Sequence, residues 1–412
     1  MTAPDDRAVR DQYEAHPYPA RDPADEAGRL ITGSPSHLLE VEHYVYAGRR
    51  AGALTALVAG GGTGDGAIML AQHLADRGGG SVHYLDLSTA SLEVARARAA
   101  ARQLDNITFH HGSLLDLDEL GLGPFDYIDC CGVLHHLAEP DRGLAALVAA
   151  LKDDGGLGLM LYGALGRHGV YPAQRAIRRL AGDQAGAERL RLARALVADL
   201  PAGNWLKRNP HLADHLGGDD AGFTDLLLHP RDRAYLVPEI LAMTAAAGLR
   251  ISGFLPPGEY DPANFLADDE LRDRARALPE GERWALAEDL SGALKTHVFY
   301  AVKAGNRDGG AARPDDPAMV PVLREMPTAR LAESLAKSPR LSARLGGVDC
   351  RFELPADSAE IVALIDGGRS LRQIHGRLRA AGAKLDWAAF KARFDAIYAV
   401  LHPLNMLLLA GR

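Results

Sequence analysis

Apolar residues in this chain fall into short unbroken runs, separated by longer stretches in which they recur every three or four positions. Thr55–Ala59 (TALVA) has four apolar residues in succession, as expected of a strand covered on both faces of a parallel sheet. Residues Asp65–Leu74 then carry helical spacing. The pattern repeats: Ser81–Leu87 reads as a second strand, Ser88 caps a helix reaching Gln103, and Ile107–His111 and Phe125–Cys131 are the third and fourth strands. Gly156–Leu161, ending at Tyr162, is the fifth, with Leu249–Leu255 and Leu294–Val302 further on. Regular alternation of strand and helix predicts an α/β fold with a doubly wound, mostly parallel seven-stranded sheet.

The segments outside this alternation set the domain plan. Residues 1–50 form an N-terminal arm and lid helix, in which Tyr13-Glu14-Ala15-His16-Pro17-Tyr18-Pro19 stands out. Its prolines fix an extended path around Tyr18, so the cluster reads either as an arm pinned to the body by tyrosines or as a lid over a site. Ser34-Pro35 has the form of an N-cap followed by a first-turn proline and predicts a helix over 35–49. Within the body, residues 51–303, an insertion spans 163–235. It should hold at least two helices, one bearing Leu190, Leu192, Leu196 and Leu200. Insertions at this end of an open sheet lie beside the ligand crevice, which makes His229, Arg231, Asp232 and Tyr235 candidates for substrate contact. Residues 304–318 read as a Gly-, Pro- and Asp-rich linker. The remainder, 319–412, has an apolar run at 361–365, a Gly367-Gly368 turn, helices over Leu371–Ala380 and Trp387–Leu401, and an apolar strand at 404–410. These elements resemble a winged-helix module of the peptide-binding PqqD-like kind, with DNA binding as the alternative for such a fold.

Charge narrows the partners. The net charge is −8, yet residues 315–412 hold 14 Lys and Arg against 11 Asp and Glu, so that segment is +3 and the rest −11. An acidic body disfavours nucleic acid, whose phosphates need neutralising cations. A charge of only +3 on the tail favours protein recognition or dimerisation there. No apolar run approaches a membrane span and the N-terminus is charged, so the expected location is cytoplasmic. Cys130, Cys131 and Cys350 have neither zinc nor disulfide spacing.

Candidate chemistry concentrates after the first strand. Gly60-Gly61-Gly62-Thr63-Gly64 permits a bend bare of side chains, followed by a helix whose free N–H groups face a ligand. Asp86, at the end of the second strand, is placed to accept hydrogen bonds from both ribose hydroxyls of an adenosine. Gly112-Ser113-Leu114 follows the third strand and can bracket an adenine edge. Gly62-Thr63-Gly64-Asp65-Gly66-Ala67 also satisfies the relaxed dinucleotide pattern, so a dehydrogenase stays in view. After the fourth strand comes Gly132-Val133-Leu134-His135-His136-Leu137. The histidine pair has no third metal ligand nearby in sequence, and no metal is expected.

This order of glycine loop, ribose acid, adenine loop and strand-to-LHH segment over residues 53–161 resembles class I S-adenosylmethionine-dependent methyltransferases. Such enzymes commonly carry an acid two residues before the first motif glycine, where this chain has Val58. An Asn/Asp-Pro-Pro-Tyr segment is also absent, which disfavours nucleobase or glutamine amides. Five separated stretches, Tyr13…Pro17-Tyr18-Pro19, LVAGGGTG, CCGVLHHL (130–137), LMLYG (159–163) and DLLLHPRDRAYLVPEI (225–240), resemble a bacterial subgroup. It comprises methyltransferases linked to tetratricopeptide repeats and the rickettsial-type protein lysine methyltransferases. The resemblance implies S-adenosyl-L-methionine as cofactor, bound through Gly60, Gly61, Gly62, Gly64, Asp86, Leu87, Ser113, Leu114, Gly132 and Val133. Tyr13, Tyr18, Tyr162, His136 and His229 are the expected acceptor-side residues, and a protein lysine amine is the implied acceptor. A small-molecule acceptor, or a catalytically silent cofactor-binding module, remains the alternative. Methyl transfer from a sulfonium needs alignment and exclusion of water more than a strong acid or base, so no catalytic dyad is expected.

Overall fold

The unbroken apolar runs become the centre of one sheet. The computed structural model describes residues 4–49, 51–217 and 220–411, so both ends of the expected arm, residues 1 and 50, lie outside it. The strands are β1 (Thr55–Ala59), β2 (Ser81–Asp86), β3 (Ile107–His111), β4 (Phe125–Cys131), β5 (Leu151–Tyr162), β6 (Leu249–Leu255) and β7 (Thr296–Lys303). Their order is β3-β2-β1-β4-β5-β7-β6. Pairs among β1 to β5 are parallel, while β7 runs antiparallel to both its neighbours. Leu57, Ile128, Leu159 and Phe299 are buried on one face of this sheet and Val58, Tyr127 and Tyr300 on the other. That double burial explains why the strands lack polar alternation.

Helices cover both faces: α1 (Pro4–Ala15), α2 (Leu38–Tyr44), α3 (Asp65–Asp76), α4 (Thr89–Ala101) and α5 (Pro140–Ala149). The expected helix over 35–49 is shortened to α2, and its cap is His37, whose side chain accepts from the Leu39 N–H. Ser34 does not cap it; its hydroxyl donates to Glu40 at 2.7 Å. The insertion supplies α6 (Val170–Ala181), α7 (Gly186–Asp199), α8 (Trp205–Arg208) and α9 (Asp220–Leu227), which pack round Phe223 and Leu226. Then come α10 (Val237–Ala246), α11 (Asp269–Arg276) and α12 (Glu280–Ser291).

The C-terminal region begins with β8 (Val320–Leu323), α13 (Thr328–Lys337) and a hairpin of β9 (Arg340–Leu345) and β10 (Val348–Glu353). After α14 (Ser358–Val362), α15 (Leu371–Ala380) and α16 (Trp387–Leu401), the chain ends in β11 (Leu407–Ala410), antiparallel to β8. The stretch read as a linker is laid against α2 and the turn after it. Ala312 N–H donates to the His43 carbonyl at 2.8 Å and Gly310 N–H to the Val45 carbonyl at 2.9 Å. Main-chain hydrogen bonds and the small buried Ala312 anchor it, so its lack of large apolar residues gave no sign of the contact.

Glu40 on α2 joins this region to the body. Its buried carboxylate accepts from Ser34, from Tyr300 at 2.8 Å and from Asn405 at 2.6 Å, and pairs with Arg324 at 2.9 Å. Burial raises its pKa against the pull of these partners. Removing one member of a buried charge pair strands the other. Glu40→Ala is therefore expected to lower the free energy of unfolding by about 3–5 kcal/mol in urea titrations. A loss below about 1 kcal/mol would contradict this role.

Candidate active site

The bend after β1 is set by its own backbone. Gly60 and Gly61 N–H groups donate to the Leu85 carbonyl at 2.7 and 3.1 Å. Gly62 has φ +53, and a Cβ on it would stand 2.7 Å from the Tyr18 carbonyl oxygen. Only glycine fits between sheet and arm at this point. The Asp86 carboxylate accepts from Gly62 N–H at 2.7 Å and Ser88 N–H at 2.8 Å. A carboxylate offers about four acceptor positions, so two remain for ribose hydroxyls. Burial raises the pKa of Asp86 and these backbone donors oppose the rise.

The arm is both pinned and site-lining. Glu14 accepts from Thr89 and Ala90 N–H at 2.7 and 3.0 Å, at the start of α4. Thr63 donates through Oγ1 to the Pro19 carbonyl at 2.7 Å, and Arg21 pairs with Asp65 at 2.6 Å. Thus held, Tyr13 and Tyr18 close one side of a cavity of 330 Å³. The opposite side is made by the ends of β1, β2, β4 and β5.

At the far end, Asp225 of α9 accepts from the hydroxyls of Tyr13 at 3.0 Å and Tyr162 at 2.9 Å. His136 Nδ1 lies 2.8 Å from the Arg231 carbonyl, which can only accept. Nδ1 therefore carries the proton and Nε2 presents a lone pair. Burial lowers the His136 pKa to about 4, so the ring is neutral at pH 7. Behind it, His229 stacks at 3.8 Å and accepts the Arg231 N–H on Nδ1 at 3.1 Å. Arg167 lies 3.6 Å over the Tyr162 ring and pairs with Asp232 at 2.9 Å.

Of the expected cofactor residues, Gly60, Gly61, Gly62, Asp86, Leu87, Ser113, Leu114, Gly132 and Val133 line the cavity, as do Tyr13, Tyr18, Tyr162 and His136. Gly64 does not: it caps α3 at φ +102 and packs on Ala95. His229 forms a second layer. Arg231 orients both histidines through its backbone, Asp232 is occupied by Arg167, and Tyr235 N–H donates to the Tyr162 carbonyl at 2.8 Å. Two buried acids escaped the sequence reading, Asp225 and Asp129, both in the cavity wall. Their signal was an acid inside an apolar run, Phe223–Leu228 and Tyr127–Cys131 respectively. Asp129 accepts from Ser36, and burial raises its pKa to about 6.

The fold also supplies what sequence spacing lacked, a carboxylate and second histidine beside His136. Ligand atoms of His136, Asp225 and His229 lie within 4.8 Å of one another. Their hydrogen bonds engage them otherwise: both Asp225 oxygens take tyrosine protons, and acceptance at His229 Nδ1 puts that ring's proton on Nε2. Each member of the trio is bonded to a residue outside it, and His229 Nε2 has no hydrogen-bond partner among the described residues.

Comparison with known proteins accords with this geometry. A methyltransferase-domain family model matches residues 57–157. An uncharacterized protein of Synechococcus sp. is 33% identical over 306 residues, covering 71% of each chain. The ubiquinone biosynthesis O-methyltransferase of Neisseria meningitidis is 32% identical over 92 residues, 22% of this chain and 39% of that protein. Among solved structures, PKMT2 from Rickettsia typhi in complex with AdoHcy aligns with TM-score 0.60 at 14% identity, over 97% of this chain and 76% of that one. The chain belongs to the class I S-adenosylmethionine-dependent methyltransferases. Its cavity fits that cofactor in its chemistry: the bend is bare of side chains, and the Asp86 carboxylate in the wall has two acceptor positions beyond those its backbone donors fill.

Asp86→Ala is expected to weaken binding of S-adenosylhomocysteine about 100-fold in calorimetry, two hydrogen bonds to a charged acceptor being lost. Unchanged affinity would remove the ribose assignment. His136 makes a separate prediction. Its pKa is 6.5 in the open chain and about 4 when folded, so between these values the unfolded state takes up a proton that the native state refuses. Stability present above pH 6.5 is lost as pH falls toward 4. Relative to His136→Asn, the wild type should lose about 3 kcal/mol between pH 7 and 4 in urea unfolding; parallel profiles would contradict it.

Proposed function

We propose that this methyltransferase acts on an amine nitrogen, that of a protein lysine side chain. S-adenosylmethionine supplies an electrophilic methyl group; the chain must hold and orient the acceptor and keep water away. The observation that carries the reading is the polarity of the acceptor end. Tyr13 and Tyr162 spend their hydroxyl protons on Asp225, and His136 spends its ring proton on the Arg231 carbonyl. What these three groups turn toward the cavity is lone pairs. Such a wall seeks a partner rich in N–H, as an amine is, and gives nothing to an acceptor-only group.

Each residue then has a role. The tyrosine oxygens receive amine hydrogens and direct the nitrogen lone pair away from themselves, while the aromatic faces favour a cationic partner. As the N–CH3 bond forms, the C–S bond of the sulfonium breaks and the neutral thioether leaves. The product nitrogen carries the positive charge, and the lone pair of His136 Nε2, a base too weak to take its proton, accepts one of its N–H groups as a hydrogen bond. Buried Asp225 fixes both hydroxyls so that neither rotates to donate inward. The likeness of fold to PKMT2 from Rickettsia typhi supports the lysine reading. A hydroxyl of a small molecule is the second reading, favoured by His136 as a neutral acceptor for an O–H proton and by the local similarity to an O-methyltransferase.

Incubation of the full chain with methyl-labelled cofactor in a lysate is expected to place label on protein lysines, read by mass spectrometry; label confined to small organics would overturn the lysine reading, and no transfer at all would favour a silent binder. Tyr13→Phe and Tyr162→Phe should each lower kcat by about 10- to 100-fold. Their affinity for S-adenosylhomocysteine should stay within about twofold, because these hydroxyls serve the acceptor. A matching loss of affinity would instead place them on the cofactor.

A further inference from the structure

The departure at Val58 leaves a charge unaccounted for. Where related enzymes carry an acid ahead of the glycine bend, this chain has a valine, and the cofactor's α-ammonium needs an anionic acceptor from elsewhere. The sheet register indicates where. β1 pairs with β4 in parallel, and the partner of Val58 is Asp129. Residues paired across adjacent strands project to the same face, so the Asp129 carboxylate emerges one strand over from the missing one and on the same side.

Its surroundings are built for a ligand. Asp129 is 2% exposed yet contributes to the cavity wall, as Val58 does. Oδ2 accepts from the Ser36 hydroxyl and the Cys131 main-chain N–H bears on the carboxylate, while Oδ1 has no donor at full hydrogen-bond geometry among the described residues. An orphaned buried carboxylate oxygen is costly. The start of α3 has been cleared for it, because a Cβ at Gly66 would stand only 3.0 Å from Oδ2.

The other acids in the wall are engaged. Asp65 is taken by Arg21 and Arg98. Asp86 is held by two backbone N–H groups at the adenosine end, and Asp225 by two tyrosines at the acceptor end. Among the described acids lining the cavity, Asp129 alone keeps an oxygen without a donor at full hydrogen-bond geometry.

We propose that Asp129 replaces the acid missing at Val58, its Oδ1 receiving the α-ammonium of the cofactor's methionyl end, with Ser36 orienting the carboxylate. The anion has moved sideways by one strand. The inference rests on the cofactor assignment above and adds the subsite that recognises its amino-acid end.

The test compares two ligands by calorimetry: S-adenosylhomocysteine, and 5′-methylthioadenosine, which keeps the adenosine and thioether but lacks the amino acid. Asp129→Asn is expected to weaken S-adenosylhomocysteine by about 30-fold or more, while methylthioadenosine stays within about twofold. Ser36→Ala, a milder change, should weaken the first ligand about 3- to 10-fold and leave the second alone. With the wild-type protein, the deamino analogue of S-adenosylhomocysteine should bind no better than methylthioadenosine. Equal losses for both ligands, or none for either, overturn the proposal, as does a deamino analogue that binds the wild type like its parent. If the wild type binds neither S-adenosylhomocysteine nor methylthioadenosine, the cofactor assignment fails and the proposal with it.

Discussion

The architecture of the site depends on one buried cation. Arg98 of α4, 1% exposed, pairs with Glu26 at 2.6 Å and Asp65 at 2.7 Å and donates to the Thr63 carbonyl at 2.8 Å. Glu26 belongs to the arm, Thr63 to the glycine bend and Asp65 to the first turn of α3. A single planar guanidinium, with five donors in a fixed fork, thereby fixes the relative positions of arm, bend and helix. Arg21 adds a second cation on Asp65 and Arg102 a second on Glu26. A buried charge with its partners in place is stable, but one whose partner leaves is strongly unfavourable. The arm is consequently held down by electrostatics as well as by packing.

From that junction the cavity follows. With the arm fixed, Tyr13 reaches Asp225 of the insertion, some two hundred residues on, and meets the Tyr162 hydroxyl on the same carboxylate. This end of the cavity is thus assembled from the arm, the end of β5 and the helix α9, none of which has it by itself. The same logic governs α2 and the residues that lead into it. Ser36 turns toward Asp129 in the cavity, while Glu40, one turn on, gathers Tyr300, Asn405 and Arg324. The C-terminal region is therefore bonded to the segment that supports the cofactor pocket, and its last strand is held through His43 Nδ1, which accepts the Leu409 N–H at 2.9 Å.

The chemistry of the site is a division among the acids of the cavity wall. Asp65 is structural, neutralised by arginines. Asp86 accepts from two nearby main-chain N–H groups and Asp225 from two tyrosines brought in from distant segments. Asp129 is held by the Ser36 hydroxyl, and the Cys131 main-chain N–H also bears on its carboxylate. Four carboxylates in one cavity wall would repel one another as a cluster; separated in this way, each meets a partner of different charge or polarity.

The sequence by itself determined the sheet, because four apolar residues in succession have no stable place except between two layers. It also determined the bend and Asp86, since glycine clustering and an acid at a strand end act through local backbone geometry. Tyr13, Tyr18, Tyr162 and His136 were legible as candidates for the same reason: they sit at ends of elements or between prolines. What the tertiary structure decided was everything that depends on two distant segments meeting. Asp225 and Asp129 look like lapses in apolar runs until the fold brings Tyr13 to the first and Val58 alongside the second. The shortened α2 and the anchored 304–318 stretch were decided likewise, by Glu40 and by main-chain hydrogen bonds. Periodicity reports which face a residue takes; it carries no information about which donor, from another part of the chain, will be waiting there.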